Sequence, residues 1–124
     1  MPKKILLIED EKILSEMYET RLKREGFEVI NTRDAEGGLE LIKKEKPDLI
    51  LLDLLLPGMQ GQEALRILKE DPKTKDIPII IFSNYDTPEV RKEAEKYGVR
   101  YILKANVTTR DLVELVKREI GEKK

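Results

Sequence analysis

Leu49-Ile50-Leu51-Leu52-Asp53 is the stretch that decides the fold: four consecutive apolar residues run into a single carboxylate. A short apolar run without polar alternation suits a strand covered on both faces, and such strands belong to parallel sheets flanked by helices. Ile5-Leu6-Leu7-Ile8 and Ile79-Ile80-Ile81-Phe82 read the same way. Val99 to Leu103 supplies a fourth strand, and Phe27-Glu28-Val29-Ile30, following Gly26, a weaker fifth.

Charged segments of helical period lie between and after these runs, at 11–25, 35–45, 62–70, 87–97 and 109–120. Their ends carry local signals. Gly26 and Gly98 stand where a left-handed C-terminal cap is expected, Thr87-Pro88 reads as N-cap and first helical residue, and Thr108 with Asp111 forms a capping box. Pro47, Pro72 and Pro78 fall in the connections. Strand followed by helix, five times over, predicts an α/β domain with a five-stranded parallel sheet, right-handed crossovers and helices on both faces.

The 124 residues suit one domain over 1–124 with no effector domain. Histidine and cysteine are both absent, which excludes Ser-His-Asp and Cys-His catalysis, disulfides, and zinc held by imidazole or thiolate. Chemistry is left to carboxylates, hydroxyls and lysines. With 24 Lys and Arg against 25 Asp and Glu, the net charge of -1 offers no basic field for direct nucleic-acid binding. No stretch approaches the roughly 20 apolar residues of a membrane span. Met1-Pro2-Lys3-Lys4 before Ile5 to Ile8 is too short a pattern for a signal peptide, so a cytoplasmic protein is expected.

In a sheet of this kind ligands bind beyond the carboxyl ends of the strands. Those ends carry Glu9-Asp10-Glu11, Asp53, Ser83 and Lys104. Singly, Asp10 reads as a helix N-cap and Ser83 or Lys104 as surface residues. Asp53, ending a central strand, is harder to dismiss, because an unpaired charge there is costly. Converging carboxylates at Glu9, Asp10 and Asp53 repel one another, and Mg2+, which takes oxygen ligands, resolves that conflict. Ser83 and Lys104 add a neutral donor and a positive charge suited to clamping a phosphoryl group, with Asp53 as nucleophile forming an acyl phosphate.

These residues make the chain resemble the receiver domain of two-component response regulators over essentially its full length. Ile8-Glu9-Asp10-Glu11 is similar to that family's acidic pair, and Asp53 through Leu56-Pro57-Gly58 to Gly61 to its phosphoacceptor region. Ser83 stands at the hydroxyl position, Lys104 at the lysine position and Tyr101 at the switch aromatic. The resemblance implies strand order 2-1-3-4-5 in a flavodoxin-like fold. It also implies transfer of a phosphoryl group to Asp53 from a sensor histidine kinase or histidine phosphotransfer protein. Mg2+ would be bound by Asp10 and Asp53, by Glu9 through water, and by the Leu55 carbonyl. Ser83 and Tyr101 would then switch the face formed by segments 87–97, 99–103 and 109–120, which signals to a downstream protein target. Along 11–25, Leu14, Tyr18 and Leu22 suit the core and leave Ile13 and Met17 near the site rim to dock the kinase helices.

Five positions bear on how closely the chain follows the family pattern. Ala105 replaces the proline that usually follows the lysine, and since a cis bond before alanine costs about 2.5–4 kcal/mol, a trans or strained cis bond is expected. Asn84 replaces a common small alanine, narrowing the pocket or adding a hydrogen bond. Tyr85 and Leu55 are bulky and neither is an obvious base, which implies slow self-dephosphorylation. Arg100 replaces an acidic residue seen in regulators that dimerise through this face, so a monomer is expected. Two other readings stay open: a receiver-like binding module that works without phosphorylation, and an aspartate-nucleophile phosphatase. The latter would need an acid-base aspartate where Leu55 stands.

Overall fold

The computed structural model describes residues 2–121. Five strands, β1 (Lys4–Ile8), β2 (Glu28–Thr32), β3 (Leu49–Leu52), β4 (Ile79–Ser83) and β5 (Arg100–Leu103), alternate with helices α1 (Lys12–Arg24), α2 (Ala35–Glu45), α3 (Gly61–Glu70), α4 (Pro88–Tyr97) and α5 (Thr109–Ile120). All strand pairs are parallel, in the order β2-β1-β3-β4-β5. This is the expected α/β architecture and strand order.

Alternate strand residues explain the unbroken apolar runs. Side chains of a strand point in turn to opposite faces, and here each face carries helices. Leu6, Ile8, Ile50, Leu52, Ile79 and Ile81 pack with Ala35, Ile42, Ala64, Leu65, Leu68, Val90 and Ala94, so α2, α3 and α4 cover that face. Ile5, Leu7, Leu49, Leu51, Ile80 and Phe82 pack with Tyr18, Leu22, Leu112, Val113 and Val116 of α1 and α5 on the other. Tyr18 meets Phe82 edge to face with ring centroids 5.1 Å apart.

Most boundary signals act as read. Thr87 caps α4 by accepting from the Val90 N–H, with Pro88 first in the helix, and Thr108 with Asp111 closes a reciprocal capping box on α5. Gly98 ends α4 at φ 68°, a conformation glycine adopts without steric cost. Three details differ. Glu11, not Asp10, is the N-cap residue of α1, and no side chain caps that end. Phe27 precedes β2 yet is buried, because its side chain joins the α1/α5 core. A short 3₁₀ helix, η1 (Lys104–Asn106), follows β5 where only a loop is anticipated. Among the described residues no helix is long and apolar enough to cross a membrane.

Glu25, at the C-terminus of α1, ties that helix to α5 through Lys117 at 3.3 Å and accepts a second contact from Arg21 at 3.5 Å. The hydrogen bond from Lys117, with the charges of Lys117 and Arg21, holds its carboxyl below the ordinary 4.5. A depressed carboxylate pKa contributes stability that is present above the unfolded value and is lost as pH falls through the folded one. Glu25→Gln is therefore expected to lower stability slightly at neutral pH. Parallel denaturant titrations should show the difference vanishing as pH drops below 4.5 and through that lowered value.

Candidate functional site

Parallel strands bring all five carboxyl ends to one edge of the sheet. From β1 the chain passes outward to β2 on one side, while β3 lies on the other, and this reversal opens a crevice above the β1 and β3 ends. Glu9 and Asp10 follow β1, Asp53 follows β3, Ser83 ends β4 and Lys104 follows β5.

Lys104 unites the crevice. Its Nζ lies 2.6 Å from Glu9 Oε1 and 3.0 Å from Asp53 Oδ2. Glu9, Asp53 and the Lys104 side chain are all nearly buried. The second oxygen of Asp53 accepts from the Leu54 N–H at 2.7 Å, and Glu9 Oε2 accepts from the Glu11 N–H at 3.2 Å. Burial pushes the Glu9 carboxyl up, the charge of Asp53 adds to this, and Lys104 opposes it. For Lys104 burial acts to lower the pKa, but the hydrogen bond to Glu9 and the charge of Asp53 outweigh it and hold the ammonium above its usual range.

Two carboxylates thus share one ammonium. Asp10 stands at the rim with its side chain partly exposed, and one of its oxygens lies 3.6 Å from the Arg33 guanidinium. The structure therefore joins Glu9, Asp53 and Lys104 directly and turns Asp10 towards β2. Among the described residues no group of three or more acidic, histidine or cysteine side chains is gathered for a metal. Mg2+ needs fewer, since it is commonly held by one or two carboxylates with waters and phosphate oxygens. The hard oxygen donors of Asp53 and Asp10, beside the buried negative charge of Glu9, fit that ion.

Ser83 is fully buried, and its Oγ accepts from the Tyr85 N–H at 3.2 Å. Tyr101 donates its hydroxyl to the Tyr85 carbonyl. The Arg91 guanidinium lies 5.0 Å from the Tyr101 ring centroid, and Arg91 is itself clamped by Asp86 at 2.5 and 3.0 Å. Leu55, on the loop after β3, is exposed.

On α1 the apolar arc divides as read: Leu14 is half-buried and Tyr18 and Leu22 are in the core, whereas Ile13 is 81% and Met17 44% exposed. Ile13 and Met17 line a shallow groove that reaches Thr109 at the start of α5. All described peptide bonds are trans, including Lys104-Ala105.

Some site contacts were beyond sequence reasoning. Gly61 opens α3 hard against the backbone of Asp53 and Leu54. Arg33, Asp86 and Arg91 read as ordinary surface charges, and nothing in their spacing signals the site. The side chain of Asn84 accepts from the Ala105 N–H at 2.9 Å, a partner that its place in the sequence does not indicate.

A doubly wound parallel sheet with a buried acid–lysine cluster over its switch point defines the class. The model of the response regulator receiver domain matches residues 5–117, and the chain belongs to that family. It is 26% identical over 122 residues to the polar-differentiation response regulator DivK of Brucella anthropi, covering 98% of this chain and 99% of DivK. A CheY-like receiver domain protein from Methanospirillum hungatei superposes with a TM-score of 0.91 at 30% identity, covering 98% of this chain and 96% of that one. The Mn2+-bound form of response regulator Rcp1 superposes with a TM-score of 0.78 at 30% identity, covering 94% and 91% of the two chains.

Proposed function

We propose that this receiver works as a single-domain phosphoryl-accepting switch of the cytoplasm, with Asp53 as acceptor. The observation that carries the reading is the buried Asp53 carboxylate at the end of β3, held 3.0 Å from Lys104. An Asp53 oxygen attacks the phosphorus of a phosphohistidine on a sensor histidine kinase or histidine phosphotransfer protein. The new O–P bond forms as the P–N bond breaks, and the electron pair leaves with the imidazole nitrogen. The Leu54 N–H orients the attacking carboxylate, and Lys104 passes from sharing Glu9 and Asp53 to pairing with phosphoryl oxygens.

Asp10, Asp53, the Leu55 carbonyl and, through water, Glu9 would hold Mg2+, which would supply positive charge against the phosphoryl oxygens. Ser83 turns its hydroxyl from the Tyr85 N–H to the phosphoryl group, and Tyr101 leaves the Tyr85 carbonyl. The face of α4, β5 and α5 then changes for a downstream protein target. Ile13 and Met17 offer the apolar contact for the histidine-bearing partner. Arg100 is engaged within the chain by Glu119 at 3.0 Å, in keeping with a monomer. Leu55 and Tyr85, two residues beyond Asp53 and Ser83, are bulky and neither is an obvious base, so the acyl phosphate turns over slowly.

Incubation with Mg2+ and phosphoramidate, followed by intact-mass measurement, is expected to show one added phosphoryl group that Asp53→Asn cannot acquire. No adduct would instead favour a binding module, and continued donor consumption beyond one equivalent a phosphatase.

A further inference from the structure

Asn84 and Ala105 are joined across the end of the sheet. Ser83 and Leu103 are the last register pair of β4 and β5, so Asn84 stands one position beyond the ladder and Ala105 two. The Asn84 Oδ1 accepts the Ala105 N–H at 2.9 Å and carries a hydrogen bond between the two chain segments where pairing has stopped. Ala105 is the middle residue of η1, which is closed by a long bond of 3.4 Å from the Val107 N–H to the Lys104 carbonyl. A three-residue 3₁₀ turn holds itself weakly, and the N–H groups of its first residues have no partner within the turn. The Asn84 amide satisfies one of them from outside.

The first residue of that turn is Lys104, whose side chain runs back into the crevice to Glu9 and Asp53 at 2.6 and 3.0 Å. The backbone direction at Lys104-Ala105 sets where the ammonium arrives. Proline at 105 would have no N–H to give. The asparagine after Ser83 and the alanine after Lys104 are therefore two halves of one contact.

We propose that Asn84 is a positioning residue for phosphoryl acceptance: by holding the Ala105 N–H it fixes the turn that aims Lys104 at Asp53. This rests on the reading of Asp53 as acceptor. Among the described residues Asn84 makes no hydrogen bond to Asp53 or to Lys104 Nζ, and it acts through the backbone.

The test combines the phosphoramidate reaction at fixed Mg2+ with hydrogen exchange of the Ala105 amide by NMR. Asn84→Ala is expected to slow acquisition of the phosphoryl group about three- to tenfold, the effect of one lost hydrogen bond. The thermal midpoint should stay nearly unchanged, and Ala105 should lose its exchange protection. In an Ala105→Pro background, where no N–H exists, Asn84→Ala should have no further effect on rate. A wild-type rate in Asn84→Ala, or rate losses that simply multiply in the double variant, overturns the proposal. Should the wild-type chain take up no phosphoryl group, the acceptor reading falls by itself. The contact is then judged on Ala105 exchange and the Lys104 ammonium resonance, and wild-type behaviour of both in Asn84→Ala overturns it.

Discussion

Lys104→Met is expected to destabilise the fold by about 3 kcal/mol at neutral pH, the low end of the cost of removing one partner from a buried ion pair. The side chain is 9% exposed and its ammonium is the cation shared by Glu9 and Asp53, so methionine keeps much of the stem's packing but strands two carboxylates. Protonation of Glu9 sets the low end. Its pKa is raised by burial even with Lys104 present, and rises further without it.

The sign of the pH dependence follows. A folded-state carboxyl pKa above the unfolded value means the folded state binds more protons between the two, so the variant gains stability as pH falls through that window. The deficit is therefore largest around neutral pH and shrinks again at high alkaline pH, where the wild type loses the Lys104 charge as pH rises through its raised pKa. For a domain of this size the thermal midpoint at pH 7 should drop by roughly 10 °C. Replacing Glu9 by Gln in the same chain should recover a large part of the loss. A Lys104→Met midpoint within two or three degrees of wild type would contradict the shared ion pair.

The second large effect is expected at Gly61. Gly→Ala in a helix ordinarily stabilises by up to about 1 kcal/mol. Here a Cβ at position 61 would stand 2.2 Å from the Asp53 carbonyl oxygen and 2.7 Å from the Leu54 Cα, both backbone atoms that cannot rotate away. The Gly61 N–H also donates to the Leu54 carbonyl at 2.9 Å, so α3 cannot back off without breaking that bond. Gly61→Ala should thus destabilise by about 1–3 kcal/mol, the range for overpacking. It should also displace the acceptor, slowing the phosphoramidate reaction of Asp53.

Gly38 gives the contrast. A Cβ there meets the Ile8 δ-methyl at 2.5 Å, the end of a side chain that has other rotamers. In parallel urea titrations of the two variants, Gly38→Ala is expected to cost clearly less than Gly61→Ala. Equal losses at the two positions would show that the Asp53–Leu54 backbone is softer than the geometry implies.

Much of the candidate site was legible because a parallel sheet sends every strand's end to one edge. Once Ile5–Ile8, Leu49–Leu52 and Ile79–Phe82 are read as strands, Glu9, Asp53 and Ser83 must share that edge. Lys104 follows from the fifth strand. The exposure of Ile13 beside the burial of Tyr18 and Leu22 was legible for the same kind of reason, the periodicity of one helix over a core.

Asp10 was harder. Its neighbour Glu9 takes the inward direction, so Asp10 faces Arg33, a partner from another connection. The clamp of Arg91 and Asp86 around Tyr101 likewise joins side chains whose meeting depends on how α4 lies over β5.

The order of elements, their facing sides and the family can be read along the chain, because these depend on local periodicity, cap residues and the identity of residues at strand ends. Which of three acids pair with Lys104, that a Cβ at Gly61 would strike the Asp53–Leu54 backbone, and that Asn84 holds Ala105 emerge only from the packed chain. Those are contacts between residues distant in the chain, set to within a few tenths of an ångström by how helices and loops pack on the sheet. No pattern along the chain carries that distance.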